Sequence, residues 1–349
     1  MPQYDLISLL NVAATNGASE VHLTVEAPPM MRVNGTLDPL AEGALQADEI
    51  RSLLTSVLSD TQVERLEEEW ELDFGLQVAD LGRFRANAHY SRGAIEATFR
   101  LIPAEPPELS TLGHWPSVEE ICRLQRGMVL VTGITGSGKS TTTAAMLRRI
   151  SETRSGVIVT VEEPIEYIFR NAGCLVKQRE VGADTKSFAS ALKFAMRQDP
   201  DIIFVGEMRD PETIRAAVTA AETGHLVLAT LHTIDAPSSV SRIVDSFPAE
   251  QQPQVISQLA NSLEAVISQR LLPRADVEGR VMATELMRAN SAIRACIRDG
   301  RPEQIPGLME IGGREGMHTI DESLAALIAQ GAITKDTAIA HARDRGRFQ

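Results

Sequence analysis

Aromatic residues are scarce in this chain of 349 residues: Phe, Trp and Tyr make up 4%, with two tryptophans and three tyrosines. A core must then be built mainly from Ala, Leu, Ile and Val. No basic stretch interleaved with aromatics is present of the kind that stacks single-stranded nucleic acid. Cysteine is rare too. Cys122, Cys174 and Cys296 lack metal-ligand spacing, and an odd number without a signal peptide points to a reducing compartment. They read as small buried apolar groups. The opening MPQYDLISLL has no basic region and no cleavage site. No run of 18 apolar residues occurs, so no membrane span is expected. Positive charge is short as well. The 34 Lys and Arg face 47 Asp and Glu, a formal net charge of -13, which argues against a broad footprint for nucleic acid or anionic lipid.

Lysine is scarcer still: only Lys139, Lys177, Lys186, Lys193 and Lys335 appear, against 29 arginines. The acid is uneven. Residues 1–100 hold seven basic and 16 acidic residues, and four of those seven basic ones, Arg83, Arg85, Arg92 and Arg100, fall within 83–100.

Otherwise the composition is that of a globular protein, 43% hydrophobic and 23% charged, and the length predicts two domains. Apolar spacing predicts a helix over 4–16 and a helical stretch over roughly 47–69. Strands are predicted at 21–25, 29–33, 84–91 and 94–102, with a turn at Asn34-Gly35. This is a small α+β unit over 1–102. The proline-rich segment 103–113 reads as a linker. From 114 to 349 the pattern changes. Short, almost wholly apolar runs at 128–132, 156–161, 201–206 and 225–231 alternate with helical stretches near 139–153, 186–197 and 211–222. Such runs predict a parallel sheet covered on both faces, an α/β domain. Beyond about 250 the reading is mostly helical, with apolar residues at helical spacing in 256–272. The run Glu67–Glu69 reads as a solvated helix face, and the terminal ARDRGR as a solvated basic tail able to touch a partner.

Residues 133–140 read Gly-Ile-Thr-Gly-Ser-Gly-Lys-Ser, the G-x-x-x-x-G-K-[ST] pattern between a predicted strand and a predicted helix. Gly133, Gly136 and Gly138 let backbone N–H groups turn inward around an anion, with Thr135 and Ser137 between them. The helix start adds its positive dipole end. Lys139 would reach the β/γ-phosphates and Ser140 would ligate Mg²⁺, with Thr141 beside it. Hydrolysis also needs acid near the metal and near an attacking water. Two apolar strands end in acids: Glu162, Glu163 and Glu166 after the second, Glu207 and Asp210 after the third. Glu207 is the choice for the Walker B acid, ordering water or holding a Mg²⁺-bound water. Asp210 and Glu166 read equally well as solvated loop charges. His225 and His232 flank the next strand and read either as γ-phosphate sensors or as packed residues.

At these residues the chain resembles a known family. GITGSGKST (133–141), EEPIE (162–166), DIIFVGEMRD (201–210) and TAAETGHLVLATLH (219–232) resemble the secretion ATPase superfamily and, within it, the PilT-type retraction ATPases of type IV pili. ASEVHL (18–23), the arginine-rich 83–103, CLVKQREVG (174–182), SFPAEQQ (246–252) and AIRACIR (292–298) extend the similarity over nearly the whole chain. The resemblance implies a PAS-like N-terminal domain joined to a RecA-like P-loop ATPase domain, assembled as a cytoplasmic homohexamer. The implied cofactors are ATP and Mg²⁺. The implied partner is the inner-membrane platform protein of the pilus base, with no nucleic acid and no insertion into the membrane. Glu162 and Glu163 fall in its Asp box, Glu207 in its Walker B motif, and His225 and His232 in its His box. Arg83, Arg85, Arg92 and Arg100 match N-terminal arginines that reach nucleotide phosphates, Arg92 and Arg100 being preferred. The sequence departs from the pattern where Glu163 replaces Asp, where Glu20 replaces Asp, and at Ala295-Cys296. Pilus extension and type II secretion ATPases, an accessory retraction paralog and, more remotely, a nucleic-acid translocase are the alternatives.

Overall fold

The computed structural model describes residues 4–33, 35–79, 81–102, 105–113 and 115–349. Asn34 of the expected turn lies outside them, as do Pro103 and Ala104 of the expected linker. The chain forms two compact units, Met1–Glu105 with Pro164–Ile168, and Pro106–Glu163 with Phe169–Gln349.

The first unit runs α1 (Leu6–Thr15), β1 (Glu20–Leu23), β2 (Met30–Val33), β3 (Thr36–Pro39), α2 (Ala47–Thr55), α3 (Asp60–Glu69), β4 (Glu71–Val78), β5 (Gly82–Ser91) and β6 (Ala94–Leu101). Asp5 caps α1 by accepting from the Ser8 N–H at 2.9 Å, and Leu6, Leu9, Leu10 and Ala13 are its buried stripe. The stretch 47–69, expected as one helical stretch, is two helices. Ser59 starts the second in a capping box with Gln62, since a Ser three residues before Gln satisfies two orphan N–H groups at once. The six strands are ordered β3-β2-β1-β6-β5-β4, with antiparallel neighbours. On β5, Phe84, Ala86 and Ala88 are buried while Arg83, Arg85, Asn87 and His89 take the other face. That is the period of two a half-buried strand requires. Phe99 meets Phe74 edge to face at 6.3 Å. Arg92 and Gly93 make the two-residue β5–β6 turn with φ of 49° and 82°, the positive values such hairpins demand.

The second unit runs α4 (Ser117–Ile121), β7 (Gly127–Thr132), α5 (Lys139–Thr153), β8 (Gly156–Glu162), β9 (Cys174–Glu180), α6 (Phe188–Ala195), β10 (Ile202–Val205), α7 (Pro211–Glu222), β11 (Leu226–Leu231), α8 (Ala236–Asp245), α9 (Gln252–Ser262), β12 (Leu263–Pro273), β13 (Arg280–Arg288), α10 (Ser291–Arg298), α11 (Ile305–Ile311), α12 (Ile320–Ala329) and α13 (Lys335–His341). Its seven strands are ordered β13-β12-β7-β11-β10-β8-β9. Every residue of β7, β10 and β11 is buried, as expected of strands covered on both faces.

Three readings of the sequence are corrected. The region after 250 is mostly helical, as expected, but the helical spacing of 256–272 misleads: α9 stops at Ser262, and Leu263–Pro273 is a strand parallel to β7 and closed by antiparallel β13. A nearly continuous apolar run fits a buried helix or a buried strand equally well, and the open edge of β7 decides. The linker is shorter than expected, because Pro106–Gly113 belongs to the second unit, anchored by Leu109, which is buried in a core with Val129, Met146 and Ile150. Pro164–Ile168 packs with the first unit instead. All three cysteines are free and buried, and burial pushes the Cys122 thiol up to about 12.

Candidate nucleotide site

The loop between β7 and α5 is shaped by its glycines. Gly133, Gly136 and Gly138 take φ of 147°, 78° and 89°, conformations that suit a residue without Cβ. At Gly133 space is limiting too: a Cβ would lie 2.4 Å from the Gln269 carbonyl oxygen and 2.5 Å from Ser137 Oγ. Gly138 caps α5 without a side chain, and no acid sits in the first helical turn. Gly138 thus offers the first N–H groups no capping side chain of its own, and no first-turn acid offsets the positive end of the dipole. Lys139 is buried, its Nζ donating to the carbonyl oxygens of Gly133 at 2.9 Å and Ile134 at 3.1 Å. Thr135 and Gly136 are exposed at the loop tip, Ser137 is buried, and Ser140 and Thr141 are half-buried in the first turn.

β7, β8, β10 and β11 are parallel, so the residues after each strand emerge at one sheet edge, where open α/β folds bind ligands. Glu207 and His232 meet there, His232 Nε2 lying 3.2 Å from Glu207 Oε1. Arg209 grips the same carboxylate with both prongs, Nε at 2.7 Å from Oε1 and Nη2 donating to Oε2 at 2.8 Å. Burial tends to raise the Glu207 pKa, but the hydrogen bond from Arg209 and the neighbouring His232 outweigh it and hold the carboxyl below its ordinary value. Glu162 and Glu163 part company. Glu162 is buried and accepts from Thr160 Oγ1 at 2.7 Å and Gln178 Nε2 at 3.2 Å, while Glu163 is exposed.

Other candidates lie elsewhere. Asp210 is the N-cap of α7, accepting from the Thr213 N–H at 2.8 Å and hydroxyl at 2.7 Å. Glu166 belongs to the first unit, 3.7 Å from Arg85 Nη1. His225 is the main correction. It precedes β11 whereas His232 comes after it, so six strand residues, about 20 Å, hold it at the opposite sheet edge from Lys139. There its Nδ1 lies 3.0 Å from the Ala220 carbonyl oxygen, closing the turn after α7.

In the first unit, Arg83, Arg85 and Arg100 share one sheet face. Arg85 and Arg100 are directly opposed across β5 and β6, and Arg100, Glu20 and Arg32 continue the row across β6, β1 and β2. Like charges opposed on a sheet repel, and Glu20 relieves this. Its carboxylate accepts from Arg100 at 3.0 and 2.6 Å and from Arg32 at 2.9 Å. Burial pushes the Glu20 pKa up, but the bonds from Arg100 and Arg32 more than reverse this, leaving it lowered. The Glu20 side chain thus reaches both arginines. Arg92 is not in this group. It sits at the hairpin tip, seven residues or about 23 Å along β5 from Arg85.

Sequence reasoning missed residues that carry no motif. Gln269 on β12 donates from Nε2 to the Ser137 carbonyl oxygen at 2.8 Å, buttressing the loop from a strand whose sequence reads as helix. Gly206 has its N–H on the Val161 carbonyl oxygen at 2.8 Å, and a Cβ there would come 3.1 Å from the same oxygen. That close approach sets the end of β8 beside the residue before Glu207. Glu20 was noted only as a departure from the family pattern, and its bond to Arg100 was hidden because 80 residues separate the two. Among the described residues no group of three or more His, Cys, Asp or Glu is placed to hold a metal ion, and no helix is long and apolar enough to cross a membrane.

This geometry has counterparts in known proteins. The family model described as "Type II/IV secretion system protein" matches residues 6–343. The "Type IV pilus retractation ATPase PilT" of Pseudomonas aeruginosa is 44% identical over 334 residues, 96% of this chain and 97% of that one. The "Type IV pilus ATPase PilU" of the same organism is 38% identical over 334 residues, 96% of this chain and 87% of that one. A solved structure described as "Crystal Structure of the Pilus Retraction Motor PilT and Bound ADP" is 45% identical, covers 99% of both chains and superposes with a TM-score of 0.92. With the phosphate loop in place at the edge of a parallel sheet, the chain belongs to the type II/IV secretion system protein family and is a P-loop ATPase.

Proposed function

We propose that this chain is the subunit of a cytoplasmic hexameric motor that couples ATP hydrolysis to retraction of a type IV pilus. The observation that carries the chemistry is the convergence of Lys139, Ser140, Glu207 and His232 at one sheet edge, with the histidine 3.2 Å from the acid. The similarity to a retraction ATPase over nearly the whole chain carries the biology. Lys139 would exchange its two loop carbonyls for β/γ-phosphate oxygens, as a buried ammonium gains more from an anion than from neutral acceptors. The N–H groups of Gly136–Ser140 would hold the same phosphates. Glu207, kept ionised, would orient the attacking water, and His232 would sense the γ-phosphate through that carboxylate. Glu163 would join them at this edge, and buried Glu162 would fix the strand end that presents it.

Ser140, half-buried in a first turn free of acid, suits a Mg²⁺ ligand, with Glu207 acting through water. The ion would neutralise charge on the phosphate oxygens. Arg83, Arg85 and Arg100 form the face suited to bidentate phosphate contact. The partners would be copies of the chain and the inner-membrane platform protein at the pilus base, with no nucleic acid and no membrane insertion. The test has two parts. Purified chain should form rings and hydrolyse ATP, and Glu207→Gln should keep nucleotide binding while losing turnover. Deleting the gene should abolish pilus-dependent surface motility with piliation retained or raised. Lost piliation would instead mean extension, and salt-sensitive stimulation by single-stranded DNA would sink the pilus reading.

A further inference from the structure

The C-terminal segment, read from sequence as a solvated basic tail, is folded back into the second unit. Asp321 on α12 accepts from the Arg343 and Asp344 N–H groups at 2.8 and 2.9 Å, which fixes the backbone there. Arg343 Nη2 then donates to Asp235 Oδ2 at 2.9 Å and lies 3.6 Å from Glu285 Oε2. Asp235 is the N-cap of α8, its other carboxylate oxygen accepting from the Ser238 N–H at 2.8 Å. Glu285 on β13 is 1% exposed. Its Oε1 accepts from the Ala236 N–H at 2.9 Å, and its Oε2 has no hydrogen bond.

These contacts converge on residues 233–236, directly after His232. The turn is locked within itself, Thr233 Oγ1 lying 2.6 Å from Ser239 Oγ, which donates to the Asp235 carbonyl oxygen at 2.6 Å. No glycine interrupts His232–Ala236, so a displacement at Asp235 carries back three residues to the histidine. Arg270, next to the loop buttress Gln269, also donates to the His341 carbonyl oxygen. The segment thus touches the supports of both the phosphate loop and the histidine.

We propose that Arg343 is a positioning residue for ATP hydrolysis, the segment His341–Asp344 bracing the turn after β11 so that His232 stays beside Glu207. Removing Arg343 leaves Asp235 and buried Glu285 as two neighbouring acids without the cation between them. Each stays bound to a backbone N–H of α8, and their repulsion is relieved by moving the turn. The inference rests on the reading of His232 as part of the hydrolytic site.

The test is a double-mutant cycle in the full chain, reading kcat, KM and the affinity for a fluorescent ADP analogue. Arg343→Ala should lower kcat roughly tenfold with ADP affinity unchanged within about twofold, since the phosphate loop is intact. Arg343→Lys should recover part of the loss. In a His232→Ala background Arg343→Ala should cost nothing further. An equal loss in both backgrounds, or no loss in the wild-type background, overturns the proposal while leaving His232 in the site. A His232→Ala variant with undiminished kcat overturns the reading of His232 and this proposal with it. Should Arg343→Ala not fold, Asp235→Asn keeps a competent helix cap and carries the same cycle.

Discussion

In the second unit, eight consecutive residues, Gly133–Ser140, supply the loop, the helix start and the ammonium. In the first, the basic face takes Arg32 from β2, Arg83 and Arg85 from β5 and Arg100 from β6. The two also differ in how their charge is held. The loop works through backbone N–H groups fixed by three positive-φ glycines, and no carboxylate lies in the helical turn it opens. The arginine face presents long side chains instead, and Glu20 and Glu166 already occupy part of it. Backbone dipoles are preorganised and need no rearrangement when an anion arrives. Guanidiniums tied to carboxylates must first give something up.

The largest expected effect tests that contrast. Lys139→Ala should lower kcat by ~10³ or more, whereas Arg85→Ala or Arg100→Ala should each cost about tenfold, because the remaining guanidiniums of the face persist. A loss at Arg100 as large as at Lys139, in steady-state ATPase assays, would erase the distinction.

The units should also part in acid. His318 is 1% exposed, stacked on Trp115 at 4.1 Å, with Nε2 2.9 Å from Thr284 Oγ1. Burial drives its pKa down from 6.5 to about 4. The folded state therefore favours the neutral ring. Its contribution is complete above pH 6.5 and lost as pH falls toward 4, about 3 kcal/mol in all. Glu20 in the first unit is lowered below the ordinary carboxylate value of 4.5, so its contribution fades only at more acid pH. Denaturation between pH 8 and 4, read by Trp115 fluorescence in the second unit and Trp70 in the first, should show the second unit weakening first. His318→Phe should flatten that slope, and an unchanged slope would remove His318 from the explanation.

Glu20→Gln should destabilise the first unit by about 1–2 kcal/mol, by leaving Arg32 and Arg100 without their shared carboxylate. A denaturant midpoint unchanged at Trp70 would show that the row is held by its strands alone.

The smallest effect has the opposite sign. Burial raises the Glu285 pKa despite Arg343 nearby, so the folded state takes up a proton before the unfolded state does. Stability then rises as pH falls through the raised value, until the unfolded carboxyl also titrates. Glu285→Gln keeps an acceptor for the Ala236 N–H and should shift neutral-pH stability by less than ~1 kcal/mol, while abolishing that gain.

Much of the site was legible because its parts are local. Gly133–Ser140 must turn and then start a helix, and acids after apolar strands must emerge at a sheet edge, so Lys139 and Glu207 could be named in advance. His225 was misread because seven residues from His232 looks close in sequence, while a strand between them puts the pair at opposite edges. Arg92 was grouped with the other three arginines for a similar reason: a hairpin tip is distant from the middle of its own strands. Gln269 gave no signal, and neither Glu20 nor Arg343 betrayed its partner in Arg100 or Asp235, since each of these contacts spans 80 or more residues.

The sequence by itself determined the phosphate loop, the acids at the strand ends, the change of pattern between the two parts of the chain and the concentration of arginine in an acidic region. These come from local rules, namely glycine conformation, helix polarity and the period of apolar residues. Tertiary structure decided that Leu263–Pro273 extends the sheet, which arginines share a face, which histidine reaches Glu207 and that the C-terminal segment is pinned down. Each of those depends on which strand edge was open or which buried charge lacked a partner, and pairings between distant segments leave no periodic trace in either one.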